Sequence, residues 1–217
     1  MEESPEVTVT LIGHSDNSEI EKFALFFSLR KAEKAAKYLA QHGIKKSRII
    51  VRGMGAAYPI AKNYYNDMPN PAGQRLNRRI DFKFFKTEKA SVNIRVRVPE
   101  VAKQIRENYG QQLIRDEKGL AYKVRIAAMK QMYKGNAILE YPAAMVERNY
   151  SQKTYYYYVG NYRSYHQAKR LKTELSSHGI KNPGIVPFVD GRKINAMEAR
   201  NLVKKYSNLN QYFENEF

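Results

Sequence analysis

The side chains that most often carry out catalysis are few and widely separated in this sequence. The chain has no cysteine, which excludes thiol catalysis, disulfides and thiolate metal sites. Two of the histidines precede a glycine at the expected end of a helix, where a histidine caps the helix more often than it binds a metal. The four histidines are His14, His42, His166 and His178. The sequence also lacks HExxH, GxSxG, a P-loop and a strand-linked GxGxxG. We therefore expect no enzymatic activity and no metal or other cofactor.

A different chemistry, stacking on sugar rings, is indicated by the tyrosine-rich segment TYYYYVG. This segment and the segment YKVRIAAM both alternate like strands. If their apolar residues face helices, three side chains must lie on the opposite, open face of the sheet: Arg125, Tyr156 and Tyr158. Two exposed phenol rings beside a cation suit a neutral or anionic glycan. The alternative is that a run of tyrosines is only a good strand former, half of it buried.

The overall charge favours an anionic partner or anionic surroundings, but it does not identify which. Lys and Arg number 38 against 21 Asp and Glu, for a net charge of +17. Nucleic acid, an acidic membrane surface and a carboxylate-bearing cell wall all fit this charge. The 43% hydrophobic share, with 17 Tyr and 9 Phe, predicts a folded globular chain.

The N-terminus MEESPEVTVTLIG is acidic where a signal peptide is basic. The apolar runs of the chain fall short of the roughly 20 residues that a membrane helix needs. We expect no membrane insertion by this chain. If it works outside the cytoplasm, we expect it to be a fragment of a longer exported protein.

The first half of the sequence predicts a β-α-β-loop-β order. VTVTLIG has the pattern of a strand, and a capping box of Ser18 and Glu21 begins a long helix that ends at Gln41 before Gly43. RIIVRGMG predicts a second strand, PIAKNYYNDMPNPAGQ a long loop, and NRRIDFKFF a third strand. Residues 86–119 have a mixed pattern, which includes the strand-like VNIRVRV, and predict a partly structured connector.

The second half predicts strands at YKVRIAAM, TYYYYVG and GIVPFV. Residues 133–149 are ambiguous, with one short helix as the interpretation, and a helix over 165–177 is expected to be capped by Ser164. INAMEARNLVKKY predicts a last helix, and the polar tail after Tyr206 is expected to fray. The fold class is therefore α+β, with two small α/β-sandwich modules. We place them at residues 1–88 and 120–206, with a connector at 89–119 and a tail at 207–217.

Four short motifs follow one another in the first module: GHSD after the first strand, FSLRKA in the helix, RGMG after the second strand and NRRIDF in the last strand. Together they resemble the OmpA-like peptidoglycan-binding domain family, whose motifs are G-H-T-D, L-S-x-x-R-A, G-x-G and N-R-R-[VI]-[DE]. The order and spacing match over residues ~6–85. The resemblance implies a β-α-β-β remnant of that fold, without the family's first strand and helix.

The resemblance also implies a site for the stem peptide of peptidoglycan. In the family, the Asp of the first motif meets the ammonium of diaminopimelate, and the Arg before the helix Ala meets its carboxylate. Asp16 matches the first, but Lys31 stands in place of the Arg, so a point charge replaces a planar fork. Arg30 is adjacent, although turned about 100° around the helix. The last motif adds Asn77 and Arg78. We expect Asp16 to be open to a ligand; the alternative is that Asp16 caps the helix and Arg78 pairs with a surface acid.

The second module contains YKVRIAA, then YYVGNYRSYHQA, then HGIKNPGIVPFVDGRKI. These segments resemble the SPOR-like domains, which pack two helices on a four-stranded sheet and bind glycan strands of peptidoglycan. The resemblance covers residues ~121–195. It implies a ferredoxin- or RNP-like sheet with helices on one face, and glycan contacts from Arg125, Tyr156 and Tyr158. Arg125 and Ala127 replace the Gln and Gly of the family's first-strand motif.

Taken together, the resemblances predict a non-catalytic binder of peptidoglycan that anchors a larger envelope protein or complex to the cell wall. The expected place is the periplasm of a Gram-negative cell, in association with the outer membrane and the cell wall. Two alternatives stay open. An RRM-like open sheet with a high positive charge is typical of RNA binding, although the RNP1 motif is missing and nucleic acid is not the expected partner. The second sheet could instead dock a protein of an outer-membrane or secretion-type complex.

Overall fold

The computed structural model describes residues 6–17, 23–85, 100–107, 113, 115–133, 138 and 140–216. The expected Ser18–Glu21 capping box and the VNIRVRV segment lie outside these residues. The fold is α+β, as predicted, and the chain forms two compact units. The first unit comprises Met1–Gly110, Met129–Asn136 and Met145–Tyr155. The second comprises Gln111–Ala128, Ala137–Ala144 and Tyr156–Phe217. Residues 145–155, which we placed in the second module, therefore belong to the first unit.

The strands and helices follow in chain order. The strands are β1 (Thr8–Gly13), β2 (Ile49–Gly53), β3 (Tyr64–Tyr65), β4 (Met68–Pro69), β5 (Ile80–Phe85), β6 (Leu120–Met129), β7 (Met145–Asn149), β8 (Tyr155–Tyr162), β9 (Gly184–Val189) and β10 (Arg192–Lys193). The helices are α1 (Ala24–Gln41), α2 (Pro71–Asn77), α3 (Tyr165–Ser177), α4 (Ala196–Leu202) and α5 (Leu209–Glu216). Short 3-10 turns lie at Lys46–Arg48 and Lys103–Ile105. In the part of the chain described, none of the helices is long and apolar enough to cross a membrane.

The sheet of the first unit has the strand order β7-β2-β1-β5. β1 and β2 run parallel, while β5 and β7 run antiparallel to β1 and β2 respectively. The interpretation of residues 133–149 as a short helix is wrong for β7. Met145 and Val146 are fully buried, and the register places Arg52 directly opposite Glu147. Pairing with a distant strand has therefore overridden the ambiguous local pattern of this segment.

The helix α1 lies directly against the backbone of β1 and β2. An added Cβ at Gly13 would fall 1.8 Å from the carbonyl oxygen of Ser28, and one at Gly53 would fall 2.8 Å from that of Leu25. Only glycine allows so close an approach of helix and strand. The contact fixes the ends of β1 and β2, where the GHSD and RGMG motifs begin, against the first turns of α1.

The segment expected to be a long loop contains a β-hairpin and a helix. β3 and β4 are joined by Asn66 and Asp67, whose φ angles of 49° and 59° give the left-handed turn that suits a two-residue hairpin. The helix α2 then starts with Pro71 at its first position, and the side chain of Asn70 accepts a hydrogen bond from the amide of Gly73. The prediction of an irregular loop is therefore wrong.

The second unit has the strand order β10-β9-β6-β8 and contains α3, α4 and α5. The helix α3 has the predicted bounds, but the side chain of Ser164 makes no capping hydrogen bond. The expectation of a frayed tail is also wrong, because α5 buries Leu209 completely. The phenol of Tyr165 donates a hydrogen bond to Glu216 at 2.9 Å, which ties α5 to the start of α3.

Three tyrosines form a cluster that joins β6 to these helices. The ring of Tyr122 lies 5.8 Å from that of Tyr165 and 6.4 Å from that of Tyr212. Tyr122 also donates a hydrogen bond to the carbonyl of Asn208 at 2.9 Å. Burial raises the pKa of all three phenols, and nearby carboxylate or phenolate charge raises each of them further. For Tyr212 the charge of Arg125 opposes the rise.

These raised pKa values predict a loss of stability at alkaline pH. Above pH ~10 the unfolded chain releases phenol protons that the folded chain retains, so the free energy of unfolding falls as pH rises. Each phenol kept neutral contributes at most about 1.4 kcal/mol per pH unit. We expect the urea midpoint to fall between pH 9 and pH 11, and to fall less in the Tyr122→Phe/Tyr165→Phe/Tyr212→Phe variant. Parallel curves for the two proteins would contradict this.

Candidate functional site

The ion pair between Asp16 and Arg78 is the centre of the candidate site in the first unit. Asp16 follows β1, Arg78 follows α2, and Nη1 of Arg78 donates a hydrogen bond to Oδ2 of Asp16. The Asp16 side chain is 0% exposed, whereas that of Arg78 is 38% exposed. The expectation that Asp16 is open to a ligand is therefore wrong for this structure. Its carboxylate is buried and paired with the guanidinium, while the guanidinium itself can be reached from solvent.

A second acid-base network supports the strand ends beside this pair. Nε2 of His14 lies 3.0 Å from Oδ2 of Asp81, and Arg79 donates to both carboxylate oxygens at 3.0 and 3.1 Å. Arg79 also donates to the carbonyl of Tyr58 at 3.0 Å. Burial raises the pKa of Asp81, but the hydrogen bond and charge of His14 and the Arg79 guanidinium outweigh it, so this pKa lies below its ordinary value. The network ties β1 to β5 immediately next to Asp16.

Two buried serines fix the other side of the site. The amide of Ser15 donates to the carbonyl of Gly55 at 2.9 Å, and its hydroxyl donates to the carbonyl of Ala24 at 3.1 Å. The hydroxyl of Ser28 accepts from the amide of Gly55 at 3.0 Å. These bonds connect the turn after β1, the turn after β2 and the start of α1. The position of Asp16 is therefore set by three elements at once, so the carboxylate is preorganised.

Asn77 has a structural role in the contacts described. Its Oδ1 accepts from the amides of Ile60 and Ala61 at 2.8 and 3.1 Å, and its Nδ2 donates to Ala61 and Asn63. The side chain is fully buried. We predicted a ligand contact at this residue, but its amide is occupied by the loop before β3. Its effect on the site is to fix the end of α2 and hence the start of the Arg78 side chain.

The cations of α1 separate into two environments. Lys31 is half-buried on the helix. Arg30 is largely exposed and pairs with Glu33 at 2.9 Å, and Glu33 also contacts Arg148 and the Tyr155 phenol, each at 3.1 Å. Burial and the Glu33 carboxylate raise the pKa of Tyr155, against the opposing charge of Arg148. Of the predicted site residues, Asp16 and Arg78 therefore form an ion pair with each other, whereas Arg30 forms its ion pair with Glu33.

In the second unit, Tyr158 lies on the predicted face but is not accessible. Tyr122 faces α3, so its neighbour Lys123 lies on the opposite face of β6, and Ala121 and Phe188 share that face through their pairing. The Tyr158 ring meets Phe188 edge-on at 5.4 Å, and both side chains are at most 1% exposed. Tyr158 therefore shares this face with Phe188, and both rings are buried there. The prediction of a glycan contact by Tyr158 is corrected for this physical reason.

The other two residues predicted to bind glycan are half-buried. Tyr156 has the ammonium of Lys193 over its ring, 5.0 Å from the centroid. Arg125 lies opposite Gly184, and its charge acts on Tyr212 of α5. The contacts of Tyr156 and Arg125 are thus with different partners. Lys193, which the sequence reasoning missed, belongs to the GRKI segment and supplies the cation beside the Tyr156 ring.

Among the described residues, no group of three or more His, Asp and Glu side chains is placed to hold a metal ion. The charged residues that organise the candidate site are instead matched acid to base: Asp16 pairs with Arg78, and Asp81 pairs with His14 and Arg79. Such an arrangement can bind a charged ligand by exchanging partners.

The turn, helix and strand that hold Asp16 lie in a recognised family domain. Residues 1–69 match the OmpA family model, so this part of the chain is an OmpA family domain. The match confirms the first resemblance for these residues. It contains Asp16, Arg30 and Lys31, while Asn77 and Arg78 lie beyond it.

Curated relatives match about the same share of the chain. The peptidoglycan-binding protein ArfA of Mycobacterium tuberculosis is 32% identical over 77 residues, which is 36% of this chain and 22% of that protein. The probable lipoprotein YiaD of Escherichia coli is 31% identical over 81 residues, 37% of this chain and 35% of that protein. The chain therefore spans about a fifth of the length of the mycobacterial relative and about a third of that of the lipoprotein.

Proposed function

We propose that this chain binds peptidoglycan without catalysis, and that the first unit holds the stem peptide at Asp16 and Arg78. The observation that carries the proposal is the ion pair of a buried carboxylate with a partly exposed guanidinium; the carboxylate follows β1 within the residues that match the OmpA family model. The name of the mycobacterial relative, a peptidoglycan-binding protein, supports the same ligand.

The ligand end that fits this pair is zwitterionic. Diaminopimelate has an ammonium and a carboxylate on one carbon, so it offers a new partner to each member of the ion pair. Arg78 has five donors, and those turned to solvent can take the carboxylate bidentately. The ammonium then approaches Asp16 as the guanidinium moves outward. Because a buried charge is costly without a partner, the two exchanges are expected to occur together.

Lys31 and Arg30 have different roles in this proposal. Lys31, half-buried on α1, adds a second positive charge for the ligand carboxylates. As a point charge it attracts without fixing geometry, so Arg78 provides the directional contact. Arg30 contributes only if it leaves Glu33, which its 2.9 Å ion pair opposes.

The second unit is proposed to contact the glycan strand as a SPOR-like module. Tyr156 is half-buried with Lys193 at 5.0 Å from its ring, an arrangement that leaves part of an aromatic surface for a sugar. Arg125 adds positive charge in the same unit. With Tyr158 buried, this contact rests on one ring rather than two, and it is expected to be weaker than the stem-peptide contact.

We further propose that the chain acts in the cell envelope, as part of an envelope protein that it anchors to the wall. The similarity to a probable lipoprotein of Escherichia coli supports this place. The periplasm of a Gram-negative cell is the compartment in which an OmpA family domain would meet diaminopimelate-containing stems, beside the outer membrane. We propose that the protein anchors a complex of that membrane to the cell wall.

Sedimentation with purified sacculi tests the proposal. We expect Asp16→Asn to weaken retention by on the order of tenfold or more, because a charge-assisted hydrogen bond contributes ~1.5–3 kcal/mol. Asp67→Asn removes the same charge from the exposed hairpin turn and serves as the matched control. A correctly folded Asp16→Asn protein that sediments like the control would contradict the proposed site. Urea unfolding of each variant monitors folding.

A further inference from the structure

The hairpin of β3 and β4 presents apolar side chains to solvent. Tyr65 is 50% exposed and Met68 66% exposed, and they stand directly opposite each other on the two strands. With the 3-10 turn at Lys103–Ile105 they border an open groove of about 370 Å³, which is within the range of small-ligand sites. Its lining includes Tyr65, Met68, Pro69, Pro71, Gln104 and Ile105.

Hydrogen bonds connect the three segments that form this groove. The Asn70 side chain donates to the carbonyl of Lys62 at 2.9 Å and accepts from the amide of Gly73, which fixes the hairpin to α2. The amide of Lys62 donates to the carbonyl of Ile105 at 2.6 Å, which fixes the hairpin to the 3-10 turn. Hydrogen bonds therefore hold the backbone that carries the exposed side chains, which lowers the entropic cost of binding a ligand.

The lining selects an uncharged ligand with apolar faces. Within the residues described, none of the side chains that line the groove is charged, although the chain as a whole has a net charge of +17. An anionic polymer would gain nothing in this groove compared with the rest of the surface. A sugar ring would fit better, because its C–H face could pack on Tyr65 beside Met68 while its hydroxyl or N-acetyl groups meet the Gln104 amide.

The groove is also at a suitable distance from the proposed stem-peptide site. α2 begins at Pro71, in the groove, and ends at Asn77, next to Arg78. Its seven residues span ~10 Å at about 1.5 Å per residue. A stem peptide extended from its sugar to its third residue covers a similar ~10 Å. One muropeptide can therefore reach both places.

We propose that this groove is a subsite for the N-acetylated sugar that bears the stem peptide. The proposal rests on stem-peptide binding at Asp16 and Arg78. It assigns to the first unit a sugar contact separate from that of Tyr156 in the second unit.

The test is calorimetry of the full chain with two ligands: the free stem tripeptide that ends in diaminopimelate, and the same tripeptide on its disaccharide. We expect the disaccharide form to bind about tenfold tighter, the effect of one well-packed ring contact with a hydrogen bond. Tyr65→Ala should remove this difference and leave tripeptide affinity unchanged. Tyr65→Phe should restore it, because the ring face is kept.

Tyr64→Ala is the matched control, since Tyr64 is 43% exposed on the same hairpin but outside the groove lining. The control should keep the full difference between the ligands. Equal affinity for both ligands in the wild type would overturn the sugar subsite while leaving stem-peptide binding intact. So would a difference that is lost in Tyr156→Ala and kept in Tyr65→Ala. If the tripeptide itself does not bind, the proposed function fails and the subsite fails with it.

Discussion

Glu147→Ala is expected to lower the free energy of unfolding by about 3–5 kcal/mol, a large part of the stability of an ordinary domain. Arg52 is 1% exposed and Glu147 9% exposed, and Nε and Nη2 of Arg52 both donate to one Glu147 oxygen. Removing Glu147 leaves a buried guanidinium without the carboxylate that balances its charge. The two residues pair β2 with β7 across 95 positions of sequence, so the loss should also loosen β7.

A double variant separates the charge effect from the packing effect. Arg52→Met/Glu147→Leu removes both charges and keeps much of the volume, so its stability should return to within ~1 kcal/mol of the wild type or exceed it. Glu214→Ala, on the exposed face of α5, controls for loss of one acid. Urea unfolding followed by circular dichroism measures all three. A cost below ~1 kcal/mol for Glu147→Ala would mean that the pair is solvated rather than buried.

Arg78→Ala is expected to weaken binding to peptidoglycan by ten- to a hundredfold. The guanidinium provides the directional contact to the ligand carboxylate, and a charge-assisted hydrogen bond contributes ~1.5–3 kcal/mol, equivalent to that range of affinity. Because its loss leaves the buried Asp16 carboxylate without this guanidinium, the variant is also expected to lose stability, and urea unfolding must show that it is folded under the binding conditions. Affinity for soluble muropeptides, measured by calorimetry, gives the magnitude.

The matched control for this variant is Arg75→Ala. Arg75 lies on α2, three positions before Arg78, and is exposed. Arg75→Ala removes one positive charge close to Arg78, so a purely electrostatic attraction to the wall would be weakened equally by both variants. Retained binding by Arg75→Ala beside lost binding by Arg78→Ala would show that the contact at Arg78 is specific.

The elements with strong local signals could be predicted from the sequence. α3 occurs at the predicted residues because its apolar stripe and the following Gly179, at φ +86°, define it locally. β1 and β2 are likewise short alternating or apolar runs that end at glycine. For the same reason the Asp16 turn could be predicted, since its motif is contiguous in sequence and lies in the segment that matches the OmpA family model.

The parts that depend on distant partners could not be predicted. β7 has a weak local pattern and forms because Val51 and Arg52 of β2 lie opposite Arg148 and Glu147. The hairpin of β3 and β4 depends on two left-handed residues, Asn66 and Asp67, within a segment whose composition indicates a loop. α5 is polar overall and is held by Leu209 and by partners on other elements.

Alternation placed Tyr158 on the correct face but could not predict its burial. One of the residues packed on it is Phe188, on a strand that β6 separates from β8. The predicted accessibility of Asp16 is wrong for a related reason, since Asp16 is buried beside a partner, Arg78, that lies 62 positions away in the sequence. A periodic pattern gives the side of a sheet on which a residue lies. It does not predict which other residues pack against that side.

We proposed that the ligand's ammonium and carboxylate become the new partners of Asp16 and Arg78. The most direct test of this compares two tripeptides that differ only at the third residue. One ends in diaminopimelate and the other in lysine, which lacks the second carboxylate. The wild type should bind the diaminopimelate peptide at least about tenfold tighter, and Arg78→Ala should bind both alike. Equal affinity of the wild type for the two peptides would contradict the account.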